Sequence, residues 1–329
     1  MEFRKILKID ESDFKIGYDN RILSLGSCFA DHMGQKLAEA KFPVLSNPFG
    51  VLYNPLSVLQ SLDLLRNRNI ISKQDLILHN SMYHSFYFHS AFSDEEEEVA
   101  LSKMNSVIET GADVFAKADR LIITFGTAWV YEWSETGATV SNCHKIPAAK
   151  FNRRRLSVGE IVESWKSFLL TYFEENPARR VVFTVSPIRH WKDGAFENQC
   201  SKSTLILAID ELCRMFGACA YFPSYEIFMD ELRDYRFYAE DMIHPSGTGI
   251  AYVWERFTKT YFSEDTLEDM NEWDKLRKML SHRSLSGMSE SYKNFLRENL
   301  RRIELFRQKR PYFDLNLELQ QLRELCNTL

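Results

Sequence analysis

The run Arg21-Ile22-Leu23-Ser24-Leu25-Gly26-Ser27-Cys28-Phe29-Ala30 decides the fold. Residues 21–25 are a short apolar stretch, and Gly26 breaks it ahead of a helical pattern over 30–41. Moving outward, the same alternation recurs. A second run at 43–46 leads through Asn47-Pro48-Phe49-Gly50 to a helix over 55–66. Continuous apolar runs at 121–125 and 181–185 read as strands covered on both faces, and 219–222 reads as a fifth. Helical patterns over 99–116, 158–173 and 203–216 fall between them. Strands joined by helical crossovers predict an α/β protein with a parallel sheet. Each run is followed by Gly, Pro or Ser, so polar loops gather at one sheet edge, where open α/β sheets bind ligands.

Two stretches interrupt this rhythm. Residues 77–92, rich in aromatics and His, read as a hairpin or irregular insertion, followed by an acidic helix start at 94–98. Residues 129–151 read as a second insertion that turns at Gly137. From residue 263 the strands stop and helical spacing takes over, through Tyr292, Phe295, Leu300, Ile303 and Phe306, then Leu315, Leu319, Leu322 and Cys326. We therefore divide the chain into a domain over 1–262 and a helical extension over 263–329. The extension either packs back on the domain or pairs with a second copy.

Composition narrows the function classes. Lys and Arg total 41 against 46 Asp and Glu, a net charge of -5, so no bulk attraction to nucleic acid is expected. Neither a membrane span nor a secretory leader is visible. The six cysteines form no CxxC pair and read as reduced thiols, pointing to a soluble, cytoplasmic protein. His79, His84 and His89, five residues apart, fit no metal-binding face, and no metal or organic cofactor is expected.

Two short blocks carry chemistry. Ser27 falls at a strand-to-helix turn, where helix N-terminal amides can hold a developing oxyanion, although the same position suits a plain helix cap. In Asp241-Met242-Ile243-His244-Pro245-Ser246, an Asp three residues before a His can accept the imidazole Nδ1 proton and leave Nε2 free to take a proton from a serine. The alternative is an exposed turn Asp beside a surface His. Cys28 is a rival nucleophile, but the neighbour of an exposed turn residue is expected to point into the fold.

Taken jointly, these blocks resemble the SGNH (GDSL-like) hydrolases, and Gly26-Ser27-Cys28-Phe29-Ala30 spells the motif of the GSCFA family. Asn47-Pro48-Phe49-Gly50 with Tyr53-Asn54-Pro55, Phe125-Gly126-Thr127-Ala128-Trp129, Asn142-Cys143-His144-Lys145 with Pro147, and Val185-Ser186-Pro187 are similar to that family in the same order. The resemblance covers about 22–262. It implies a flavodoxin-like three-layer α/β/α sandwich, with Ser27 as nucleophile, His244 as general base and Asp241 as its partner. It also implies oxyanion donors after the second and third strands. Gly50 fits the first by position. The third-strand block lacks the expected Asn, which leaves Asn142, Asn54 or Thr127 to donate.

His144, Lys145 and His190 fall in loops on the ligand edge, as substrate-binding or structural groups. The run Arg153-Arg154-Arg155 reads as a solvated approach to a helix or as a contact for an anionic substrate group. The expected function is a serine esterase or acyltransferase acting through an acyl-enzyme on a small or carbohydrate ester, acetyl above all by family analogy. The alternative is a non-catalytic ligand-binding or scaffold protein on a hydrolase-like sheet.

Overall fold

A computed structural model describes residues 5–280 and 290–327 of the chain. Residues 1–4 of the segment read for a leader, together with 281–289 and 328–329 of the helical extension, lie outside the described residues. Five strands form one parallel sheet: β1 (Ile22–Gly26), β2 (Val44–Ser46), β5 (Arg120–Phe125), β9 (Arg180–Val185) and β10 (Cys219–Phe222). Their spatial order is β10-β9-β5-β1-β2. The winding direction reverses between β1 and β5, and such a switch point opens a crevice at the carboxyl ends of the strands.

The side-chain period of two sorts the strand residues between two cores. Leu23, Leu25, Leu121, Ile123, Phe125, Val181 and Phe183 pack on one face. That face is covered by α2 (Pro55–Asn67), α3 (Glu97–Lys117), α4 (Val158–Glu175) and α5 (Gly194–Met215), through Leu62, Met104, Trp165 and Leu205. Ile22, Ile122 and Val182 point the other way, towards α1 (Cys28–Glu39) and, beyond the one-turn α6 (Ser224–Glu226), α7 (Gly247–Tyr261). The result is a three-layer α/β/α arrangement: the alternation predicted the parallel sheet with helical crossovers, and the family resemblance implied the three layers.

Both insertions are β structure. The first is the hairpin β3 (Ile77–His79) and β4 (Met82–His84). The second is a three-stranded antiparallel sheet of β6 (Trp129–Trp133), β7 (Thr139–Val140) and β8 (Phe151–Arg155), turning at Gly137 with φ +72°. The extension forms α8 (Glu264–Leu280), α9 (Glu290–Lys309) and α10 (Asn316–Asn327). It packs back on the domain: Trp273, Ile303, Phe306 and Leu319 share a core with Tyr18, Phe42 and Leu37. Trp273 Nε1 donates to the Glu39 carbonyl at 2.9 Å, and Lys41 pairs with Glu318 at 2.5 Å.

One boundary moves substantially. Helix α5 starts at Gly194, nine residues before the expected 203. Its first turns bury Asn198, Ser201 and Lys202 instead of apolar residues, so apolar periodicity has no purchase there.

Candidate active site

Nucleophile and base candidates arise from two local backbone devices. Gly26 closes β1 with φ +144°, and a Cβ there would lie 2.1 Å from the Thr124 carbonyl oxygen, so only glycine lets the chain turn beside β5. Ser27 follows at the N-cap of α1, its amide donating to Thr124 O at 3.2 Å and its Oγ accepting from the Phe29 amide at 3.3 Å. The capping reading of Ser27 is therefore realised. The residue is only 2% exposed, yet it lines a cavity of about 630 Å³ at the carboxyl edge of the sheet.

His244 lines the same cavity from the loop that enters α7. Met242 takes a left-handed φ of +59°, which folds Asp241 back onto His244. The Asp241 carboxylate accepts the Ile243 amide at 3.0 Å, the His244 amide at 2.9 Å and His244 Nδ1 at 2.5 Å. These bonds, the His244 amide foremost, hold the carboxyl down at about 2. With Nδ1 donating, Nε2 is the ring's accepting nitrogen. Among the described residues the Ser27 hydroxyl bonds only the Phe29 amide, so the Ser27–His244 hydrogen bond is open. Unliganded catalytic sites are often loose in this way.

The expected oxyanion donors separate on inspection. Gly50 does not serve: its amide already donates to Asn47 O at 2.8 Å. Thr127 is committed as well, its amide to Tyr53 O at 2.9 Å and its hydroxyl to Ser201 and the Trp129 amide. Asn54 borders the cavity but caps α2, accepting from the Ser57 amide and donating to the Ser57 hydroxyl, each at 2.9 Å. Asn142 differs. Its Oδ1 is pinned by the His144 amide at 2.9 Å, which leaves Nδ2 without an acceptor among the described residues. The Val51 amide, one residue past Gly50, is in the same state, and both residues line the cavity.

His144 is a correction. It lies off the cavity wall, buried and stacked on His84 at 4.4 Å between ring centres. Nε2 donates to Ser85 O at 2.8 Å and Nδ1 accepts from Ser90 Oγ at 3.0 Å; burial lowers the ring to about 4. It staples the two insertions together, and Lys145 likewise does not border the cavity. His190 does border it, edge-on to Tyr53 at 5.7 Å, and burial depresses it to about 4. Cys28 packs against the α1-side core and also borders the cavity, with Sγ 3.6 Å from the Tyr53 hydroxyl.

Several cavity residues carried no role in the sequence reading. In the sequence Tyr53 falls only within a motif, and no local pattern marks Arg189. Lys202 is completely buried, and its Nζ donates to the carbonyls of Gly126 and Ser186, both at 2.7 Å, tying together the ends of β5 and β9. Gly126 sits against Ser27, since a Cβ on it would come within 3.3 Å of the serine's own. Of the basic run, Arg153 reaches the cavity, where it pairs with Asp193 and lies 4.1 Å over the Trp129 ring. Arg154 and Arg155 instead pair with Glu132, Glu160 and Glu197.

Among the described residues no cluster of three or more His, Cys, Asp or Glu side chains is placed to hold a metal, and no helix is long and apolar enough to cross a membrane. A solved structure described as "The structure of a putative platelet activating factor from Streptococcus pneumonia" aligns with 73% of this chain and 82% of its own, at 11% identity and a TM-score of 0.36. No curated protein matches the chain. The model of the GSCFA domain protein C-terminal domain matches residues 273–328. The GSCFA family model matches residues 21–257, which hold the Ser27 turn and the Asp241–His244 loop, and the chain belongs to the GSCFA family.

Proposed function

We propose that this chain is an SGNH-type serine esterase or O-acyltransferase. The observation that carries the reading is the shared cavity: Ser27 and His244 face it together, and Asp241 holds the imidazole with Nε2 accepting. Ser27 Oγ attacks the ester carbonyl carbon while its proton passes to His244 Nε2. The carbonyl oxygen takes up the electron pair beside the α1 N-terminus, with the Val51 amide and Asn142 Nδ2 as uncommitted donors on the cavity wall. Collapse expels the alcohol, which leaves with the proton from His244, and an acyl-Ser27 ester remains. Water or an acceptor hydroxyl then gives its proton to His244 and attacks the acyl carbon, and His244 returns that proton to Ser27 Oγ as it leaves. Aromatic rings at Tyr53, Trp129 and Trp191 line the cavity and suit a carbohydrate substrate.

The test is labelling by a fluorophosphonate probe with the modified residue mapped, together with p-nitrophenyl acetate turnover. Labelling at Ser27 is expected, and Ser27→Ala and His244→Ala should each lower kcat/KM by about 1,000-fold or more. Turnover unchanged in both variants sinks the assignment. A ligand-binding protein is the second reading, favoured by the Ser27 Oγ–Phe29 amide cap. It predicts sugar-ester binding without labelling. Product analysis with and without a sugar acceptor separates transfer from hydrolysis.

A further inference from the structure

We propose that Arg189 receives an anionic substituent, a carboxylate or a phosphate, of the molecule that occupies the cavity. This deepens the esterase reading and rests on it for the word substrate: the ester acted upon carries a negative charge away from its scissile bond.

The argument starts from the charges on the cavity wall. Arg153, Arg189 and Lys192 face one acid, Asp193. Asp193 is already paired with Arg153. Arg189 has no ion-pair or hydrogen-bond partner among the described residues, and its Nε is buried with nothing to donate to. With Nε covered and the terminal N–H groups unpaired on a cavity wall, the guanidinium is left to find its acceptors in what the cavity binds.

The guanidinium is also oriented. Its centre lies 4.7 Å from the Trp191 ring centre, which fixes one face by a cation–π contact and leaves the edge with its N–H groups free. That edge offers paired donors matched to two oxygens of a carboxylate or phosphate. Arg189 also lines an adjoining cavity of about 190 Å³, whose acid Asp234 is paired with Arg236 at 2.6 Å and supplies no counter-charge. The chain as a whole is acidic, with a net charge of -5, so this cationic wall runs against the overall balance. A neutral ester can offer a carbonyl or hydroxyl oxygen to Arg189 but leaves its charge unbalanced, whereas a carboxylate or phosphate supplies both the paired acceptors and the counter-charge.

Two measurements test this. Turnover is compared within two pairs of esters, p-nitrophenyl butyrate against mono-p-nitrophenyl succinate, and phenyl acetate against 4-acetoxybenzoate. The first pair places the charge on the acyl side and the second on the alcohol side. For at least one pair, the charged-to-neutral ratio of kcat/KM should fall tenfold or more in Arg189→Gln and recover partly in Arg189→Lys. Ratios that move less than twofold in both pairs overturn the proposal, even with Ser27-dependent turnover intact.

Calorimetric titration of Ser27→Ala with succinate and with neutral succinamide needs no catalysis. Succinate should bind at least tenfold tighter, and adding Arg189→Gln should abolish the difference. Equal affinity, or binding of neither, overturns the anion site. Arg189-dependent succinate binding in a protein that neither labels at Ser27 nor turns over ester keeps the anion site and removes the esterase reading.

Discussion

At the residue scale, the chemistry depends on how firmly one imidazole is held. Asp241 accepts two backbone amides as well as Nδ1, so the carboxylate is oriented before it meets the ring, and the left-handed Met242 makes this possible within four residues. Changing Asp241 to Asn replaces one accepting oxygen with an NH2 group that competes for the wrong side of Nδ1 and favours the wrong tautomer. Asp241→Asn should therefore lower esterase kcat/KM by a factor on the order of 100 to 10,000, with smaller change in KM. Because the carboxyl is held at about 2, it is charged throughout the working range. The acidic limb of a wild-type kcat/KM profile should then rise with a slope of one, with no contribution from Asp241. A limb with a slope of two would show that Asp241 also titrates there and that its hold on the ring is weaker than described. Both blocks were legible in the sequence because their geometry is local: a turn before a helix, and an Asp three residues before a His. Asn142, Arg189 and Tyr53 gain their positions only from packing between segments far apart in the chain.

At the element scale, α5 shows how a functional end hides from pattern reading. Its inward positions run Asn198, Ser201, Lys202, Leu205, Ala208, Ile209 and Leu212, spaced as a helix throughout. The apolar ones alone gave the expected start at 203. The polar ones hold the backbone behind the cavity: Asn198 Oδ1 accepts the His190 amide at 2.9 Å, Ser201 Oγ accepts the Ala128 amide at 2.7 Å, and Lys202 bridges two strand ends. Two carbonyls face the Lys202 amine, enough for the two N–H bonds of the neutral form, and burial lowers it to about 7. An unfolded lysine keeps its proton up to about 10.4, so between roughly pH 7 and 10.4 the unfolded chain holds more protons on this group. Lys202 then costs stability below about pH 7, and that cost is relieved as pH rises through the window. Lys202→Met leaves two buried carbonyls unmet, a loss of about 1–3 kcal/mol at pH 9.5 and less at pH 7. Urea midpoints of the two proteins should diverge as pH is raised; convergence would place the charged form in the core.

At the scale of the whole molecule, the question is whether the helical extension is an appendage or part of the body. The sequence supplied its helical spacing but left two partners open, because an amphipathic stripe reveals a buried face and not what buries it. In the structure Phe306 packs at 4.8 Å from Phe313 and 6.2 Å from Trp273, and Trp273 in turn reaches α1 through the Glu39 carbonyl. Tyr18, next to β1, lies 4.2 Å from Phe313 and 4.3 Å from Phe42. Ring contacts from Phe306 to Trp273 and the Trp273–Glu39 hydrogen bond thus connect α9 to α1, whose N-cap is Ser27. Deleting a ring at the centre of these contacts should loosen the whole and not the tail alone. Phe306→Ala is expected to cost about 3–5 kcal/mol, as for other buried aromatic truncations. The loss should appear as one transition moved to lower urea, read alike by far-ultraviolet circular dichroism and by tryptophan fluorescence. The urea concentration at which Ser27 loses probe labelling should fall with it. An early partial transition that spares Ser27 labelling would mean that the extension unfolds by itself and that the shared core does not couple it to the site.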